Sequence, residues 1–210
     1  MSKPSLHDYR LYFVTESHLN RGYSIMEQVQ AVLRAGVKII QLREKDMDEE
    51  KFIALASKIA EIVHKENAYL IIDDRVKVAN QSGADGVHLG QHDMPLPEAR
   101  TILGNEKIIG ISVKTEIEAL TAQIQGADYV AVNGVFPTKT KTDLGELPGL
   151  EGVQRIRNCT NIPVIGIGGI HPENCRSVIE AGADGIAVIT AITMAEDMEK
   201  ICRIFFETLR

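Results

Sequence analysis

Short apolar runs recur along the chain at near-regular intervals: LYFVT (11–15), VKIIQLR (37–43), YLIID (69–73), DGVHLG (85–90), KIIGIS (107–112), DYVAVN (128–133), PVIGIG (163–168) and DGIAVIT (184–190). Their length and flanking residues predict strands. Between them, apolar positions return at helical spacing over 26–35, 49–65, 116–125, 150–157, 172–181 and 196–209, and more weakly over 76–82 and 96–103. Strand and helix alternate from end to end, at roughly 25 residues per unit, which is the pattern of an α/β chain folded as a single (β/α)8 TIM barrel. A doubly wound open sheet is the second reading of the same pattern.

Two kinds of punctuation interrupt the alternation. The tripeptides Ala35-Gly36-Val37, Gly83-Ala84-Asp85, Gly126-Ala127-Asp128 and Gly182-Ala183-Asp184 each close a helix just before a strand. Glycine suits a left-handed helix end there, so these read as structural joints without a functional role. The long polar connection at 137–149, PTKTKTDLGELPG, follows the sixth strand. Loops of about a dozen residues in a compact domain are often lids or ligand clamps.

The polar residues fall at the ends of the apolar runs, as expected for a barrel whose chemistry sits on one face. Gln41, Arg43 and Lys45 alternate at period two, so their side chains share a face while Leu42 and Glu44 take the other. A guanidinium beside an ammonium makes a phosphate clamp. The plainer reading is a solvated strand end paired with Glu44 and Asp46. Asp73 and Asp74 end the third strand and Asp93 follows the fourth. Carboxylates gathered this way call for a divalent cation, and Mg2+ suits a few carboxylates completed by substrate phosphates. Alternatively, Asp74 caps the following helix and Asp93 makes a local turn. Thr138, Thr140 and Lys141 add hydroxyls and a cation, or are simply a polar surface loop. Gly166-Ile167-Gly168-Gly169 and Ile189-Thr190 lie where barrels bind phosphate through backbone N–H groups; the glycines also suit a tight turn of positive φ.

Composition narrows the field. With 210 residues, 44% of them hydrophobic, the chain fits one domain spanning 1–210. No apolar run approaches the ~20 residues of a membrane span, and the N-terminus lacks a secretory apolar core, which predicts a cytoplasmic protein without a membrane partner. A net charge of −6 argues against nucleic-acid binding. Cys159, Cys175 and Cys202 lack metal-ligand spacing and read as reduced thiols. His88 lies within a strand and reads as a core residue, and no histidine is assigned a catalytic role. Ser112 has no candidate base close in sequence and no nucleophile elbow surrounds it, which disfavours covalent hydrolysis.

Taken together, QLREK (41–45), IIDDR (71–75), GADGVHLGQHD (83–93), GISVKT (110–115), FPTKTK (136–141), GIGGI (166–170) and GADGIAVIT (182–190) resemble the thiamine-phosphate synthase family, in the right order over nearly the whole chain. The resemblance implies condensation of 4-amino-2-methyl-5-(diphosphooxymethyl)pyrimidine with 4-methyl-5-(2-phosphooxyethyl)thiazole. Thiamine phosphate and pyrophosphate are the products. It implies that Gln41, Arg43, Lys45, Asp73, Ser112 and Lys141 contact the pyrimidine diphosphate, within a substrate-binding stretch 41–45 that takes in Leu42 and Glu44. Arg43, Lys45, Ser112 and Lys141 become the catalytic set. Asp74 and Asp93 would hold Mg2+, and Thr138, Lys139, Thr140, Gly169, Ile189 and Thr190 the thiazole phosphate. By analogy the chain is a possible homodimer.

The chain departs from the family pattern at Asp73, where Asn is usual, at Asn133-Gly134, where Gly-Pro or a similar pair is usual, and at Thr190, where Ser is usual. Thiazole tautomerase is a close relative. Lys114 stands where such enzymes carry a proton-transferring His, and a protonated lysine is a poor base. A reading from another class is a non-catalytic protein that binds thiazole phosphate or thiamine phosphate, supported by Asp73 and Asn133.

Overall fold

The computed structural model describes residues 3–138 and 147–210. Among them, eight parallel strands close into a barrel in chain order: β1 (Leu11–Val14), β2 (Ile39–Leu42), β3 (Tyr69–Asp73), β4 (Gly86–Leu89), β5 (Ile108–Val113), β6 (Tyr129–Asn133), β7 (Val164–Ile167) and β8 (Gly185–Val188). The helices α1 (Ile25–Arg34), α2 (Glu49–Lys65), α3 (Val76–Gln81), α4 (Leu96–Leu103), α5 (Glu116–Ile124), α6 (Gly149–Cys159) and α7 (Cys175–Glu180) fill the crossovers, and α8 (Thr190–Thr193) and α9 (Met198–Thr208) follow the last strand. The closed barrel is the first of the two folds the sequence allowed. None of the helices described is long and apolar enough to cross a membrane.

Helix starts follow local chemistry. Ser24 and Glu27 form a capping box on α1, Thr115 and Glu118 another on α5, and Asp48 caps α2 by accepting the Glu50 and Lys51 N–H groups. The apolar pattern overruns the eighth strand, read as 184–190. The ladder stops at Val188 and the chain turns at Ile189 into α8. A run of β-branched residues does not itself mark where a strand loses its neighbours.

Side chains alternate between two apolar layers. On β2, Ile40 and Leu42 pack outward under the helices, and Ile39 points into the barrel beside Tyr12, Tyr69, Ile71 and Tyr129. Gly110 of β5 leaves the space that the Tyr129 ring fills; a Cβ there would overlap the ring.

The Gly-Ala-Asp joints have a specific job at the N-terminal end of the barrel. Asp85, Asp128 and Asp184 accept the backbone N–H of Leu70, Ile109 and Val164 respectively, each at 2.8 Å, and so bind the start of the preceding strand. Each carboxylate also meets a side-chain partner: His64 at 2.9 Å, Arg100 at 2.8 Å and Arg157 at 2.8 Å.

Candidate active site

At the opposite, C-terminal end the strands open into two adjoining cavities. The first, of about 680 Å3, is lined by Gln41, Arg43, Lys45, Asp73, Asp74, Asp93 and Ser112, together with Lys114. The second, of about 560 Å3, is lined by Thr138, Gly169, Ile189 and Thr190. Asn133, Ile167, Ala187 and Ile189 line both, so the two are lobes of one mouth that meet along a largely apolar seam. Lys139, Thr140 and Lys141 lie outside the described residues.

Leu42 and Glu44 are the two members of the 41–45 stretch that line neither lobe. Leu42 is wholly buried in the outer apolar layer, the consequence of strand alternation. Glu44 is buried behind the mouth, beside a small cavity of about 120 Å3 that it shares with Lys45, Asp73, Asp74 and Arg75. Its Oε1 has no hydrogen-bond partner among the described residues, and burial pushes its carboxyl upward, against the pull of the Ser17 hydroxyl.

In the charged lobe the cations are held by residues remote in sequence. Arg43 Nη1 donates to Glu16 Oε2 at 3.1 Å, and its Nε lies 3.6 Å from Asp73 Oδ2. Glu16 is buried, and its Oε1 also accepts the His18 N–H at 2.8 Å, so the β1–α1 loop anchors the guanidinium. Lys45 Nζ lies 3.6 Å from Asp74 Oδ2. Arg43 and Lys45 therefore pair across the mouth, and the surface pairing with Glu44 and Asp46 does not describe them.

The aspartates adopt a different arrangement. Asp74 sits at φ 61°, a left-handed conformation that Asp tolerates better than most residues. Helix α3 starts after Arg75 with no side-chain cap, so Asp74 is not a helix cap. It interacts instead with Asp93, whose Oδ2 accepts the Gly90 N–H at 2.6 Å. Asp93 thus makes its local turn and faces Asp74 as well. Burial, the Asp73 charge and the hydrogen bond with Asp93 push the Asp74 carboxyl up to about 7, against the pull of Lys45. Two carboxyl groups that share a proton offer the hard oxygen donors a divalent cation takes. Among the described residues no group of three or more His, Cys, Asp or Glu side chains is disposed to hold a metal. The aspartate pair accordingly fits an ion that draws its remaining ligands from phosphate and water, as Mg2+ does.

The apolar lobe is shaped by loop contacts. Gly134 N donates to Ile167 O at 2.9 Å and Phe136 N to Gly168 O at 3.0 Å, joining the exits of β6 and β7. A Cβ on Gly169, at φ 61°, would come within 2.5 Å of the Pro137 carbonyl oxygen. Glycine is required there by close approach as well as by φ.

Beneath the charged lobe runs a feature that sequence spacing does not reveal. Gln41 Nε2 donates to Tyr12 Oη, Tyr12 Oη meets Tyr129 Oη, His88 Nδ1 meets Tyr129 Oη, and His88 Nε2 meets Ser112 Oγ, each at 2.9 Å. His88 is buried with both ring nitrogens bonded, as the sequence suggested for a core residue, and it also lines the charged lobe. The available signal was a lone polar residue in the strand GVHL, in register with Asp73.

The chain is similar to known proteins over most of its length. The profile described as thiamine monophosphate synthase matches residues 11–192. A thiamine-phosphate synthase of Moorella thermoacetica is 43% identical over 193 residues, 92% of each chain. One of Clostridium acetobutylicum is 41% identical over 203 residues, 97% of this chain and 96% of that one. The solved structure of a thiamine phosphate pyrophosphorylase from Pyrococcus furiosus superposes with a TM-score of 0.89 at 36% identity, covering 97% of this chain and 96% of that chain. The profile runs from the first strand into the short helix after the eighth, and the relatives match nearly end to end: this chain belongs to the thiamine monophosphate synthase family.

Proposed function

We propose that this chain is a one-domain transferase that joins 4-amino-2-methyl-5-(diphosphooxymethyl)pyrimidine to 4-methyl-5-(2-phosphooxyethyl)thiazole. The observation that carries the reading, beside family membership, is the division of the mouth into a charged lobe and an apolar, glycine-bordered lobe that touch along Asn133, Ile167, Ala187 and Ile189. A diphosphate and a thiazole need such different surroundings, and their reacting atoms need a common border.

In this assignment Gln41 and Ser112 contact the pyrimidine diphosphate, and Arg43 and Lys45, with Lys141, face its phosphates. Thr138, Lys139, Thr140, Gly169, Ile189 and Thr190 take the thiazole phosphate. The bond from the methylene carbon to the diphosphate oxygen breaks, its electron pair leaves with pyrophosphate, and the thiazole nitrogen lone pair forms the new C–N bond. No proton has to be removed, in keeping with a site built from cations and hydroxyls. Mg2+ held by Asp74 and Asp93 would add positive charge beside the departing diphosphate. Holding both substrates across one seam removes much of the entropic share of the barrier. Asp73 lies against Arg43, which offsets the carboxylate that replaces the family's usual Asn.

The paired Arg43 and Lys45 beside two aspartates count against a thiazole tautomerase, which needs no diphosphate clamp. Three free thiols, two of them buried, support a reducing, cytoplasmic setting. The test is to incubate the purified chain with both substrates and Mg2+ and to detect thiamine phosphate by mass. Product that vanishes with EDTA is expected. A folded chain that binds the pyrimidine diphosphate without turnover would overturn the reading in favour of a non-catalytic binder.

A further inference from the structure

In the hydrogen-bonded chain from Gln41 to Ser112, Gln41, Tyr12, His88 and Ser112 border the charged lobe and Tyr129 lies behind them. Tyr12 and Tyr129 are fully buried, and burial raises both hydroxyls far above the usual phenol range, so each keeps one proton and has one hydrogen bond to give. Hydrogen bonds through such groups favour one common direction; a reversal part-way would make one buried hydroxyl accept twice and leave its own proton without an acceptor.

The amide of Gln41 sets the direction. With its Nε2 donating to Tyr12, Tyr12 donates to Tyr129 and Tyr129 to His88 Nδ1. His88 is then the neutral tautomer protonated on Nε2, which donates to Ser112 Oγ. The Ser112 proton is left for the cavity. Turning the amide over reverses every link: Ser112 donates to His88 Nε2, His88 Nδ1–H donates to Tyr129, and Tyr12 donates to Gln41 Oε1. Both states hold the same number of protons; His88 loses one from a ring nitrogen and gains one on the other.

We propose that Tyr12, Tyr129 and His88 are positioning residues that couple the amide orientation of Gln41 to the donor state of Ser112, so that recognising an amino-bearing ring edge at Gln41 frees the Ser112 proton for a phosphate oxygen. The inference rests on the proposed function for the identity of the ligand. The coupling itself belongs to the protein. A ring amino group donates to Gln41 Oε1 and holds the productive direction. A ring oxo group in its place accepts from Nε2 and favours the reverse one. Discrimination against the oxo ring then exceeds the cost of its own contact, because the diphosphate loses a donor as well.

The test reads the His88 tautomer by imidazole 15N NMR in the full chain, which needs no turnover and so separates failure of this idea from failure of the functional reading. Wild type is expected to carry the proton on Nε2. At a pH that ionises its new carboxyl, Gln41→Glu can only accept from Tyr12 and is expected to move the proton to Nδ1, and Tyr12→Phe is expected to abolish that effect of Gln41→Glu. An unchanged tautomer in Gln41→Glu, or a shift that survives Tyr12→Phe, overturns the coupling. Melting curves establish that each variant is folded. Should Gln41→Glu not fold, wild type saturated with the 4-amino or the 4-oxo pyrimidine phosphate gives the same contrast, and one tautomer with both ligands overturns it. As a functional readout, Gln41→Glu and Ser112→Ala should each weaken Mg2+–pyrophosphate binding about tenfold, and the double variant no further. Additive losses would contradict the proposal.

Discussion

The two ends of this barrel use the same residue type to opposite purposes. At the N-terminal end, Asp85, Asp128 and Asp184 each accept a backbone N–H from the preceding strand and meet a histidine or arginine besides. At the C-terminal end, Asp73, Asp74 and Asp93 crowd one another, and burial together with that crowding makes Asp74 hold its proton far above the usual range. Carboxylates surrounded by donors fix a structure, whereas carboxylates facing each other store unfavourable charge that a ligand can relieve. Position along the strand, and not residue type, separates the aspartates that tie strands together from those that face one another at the mouth.

The sharpest test of that contrast is to remove one aspartate from each end. Asp93→Ala should lower turnover by roughly two to three orders of magnitude with little change in melting temperature, and Lys141→Ala should do likewise. Near-normal turnover in Asp93→Ala would break the division. Asp184→Asn should do the reverse, costing about 1–3 kcal/mol in a urea titration because it disturbs the acceptor of the buried Val164 N–H and the Arg157 pair. Its kcat should stay within about twofold of wild type. If Asp184→Asn lost turnover while keeping its stability, the N-terminal clamps would have to be reassigned.

Smaller effects sharpen the picture at the mouth. Asp73→Asn removes one of the charges that hold the Asp74 proton, so the loss of Mg2+ binding on acidification should begin at a lower pH in the variant than in wild type, measured by calorimetry. A separate effect is expected in the metal-free chain. The Asp74 carboxyl is raised from 3.8 to about 7 on folding, so the folded form binds a proton that the unfolded form has released. The associated stability is present below pH 3.8 and is lost as the pH rises towards 7. Denaturation midpoints of wild type minus those of Asp74→Asn should fall across this window and level off above it. A flat difference would mean that Asp74 titrates alike in both states.

Much of this was legible in the amino-acid order. Alternating strand and helix periods favoured the barrel over an open sheet, and the polar residues at strand ends marked the mouth, because a parallel barrel exposes its strand ends on one side. The exit of β8 was not legible: DGIAVIT continues its apolar character past the last paired residue, Val188, into α8. Nor were the partners of the charged groups. Glu16 reaches Arg43 across neighbouring strands, and Tyr12 reaches Tyr129 across the barrel axis. Such pairs depend on strand register and on which side chains point inward, and neither leaves a local spacing to read.

The seam between the lobes carries one last implication, for the fate of the pyrimidine methylene once pyrophosphate has gone. A carbon that electron-poor alkylates whatever lone pair it meets, including water and the enzyme itself. Ile167, Ala187 and Ile189 offer it none, and the amide of Asn133 is a feeble competitor. On the proposed assignment, a thiazole nitrogen arriving from the other lobe would meet the carbon at this seam without competition from the apolar side chains there. Product fidelity in this barrel would rest less on a group that performs the reaction than on side chains chosen for their inertness.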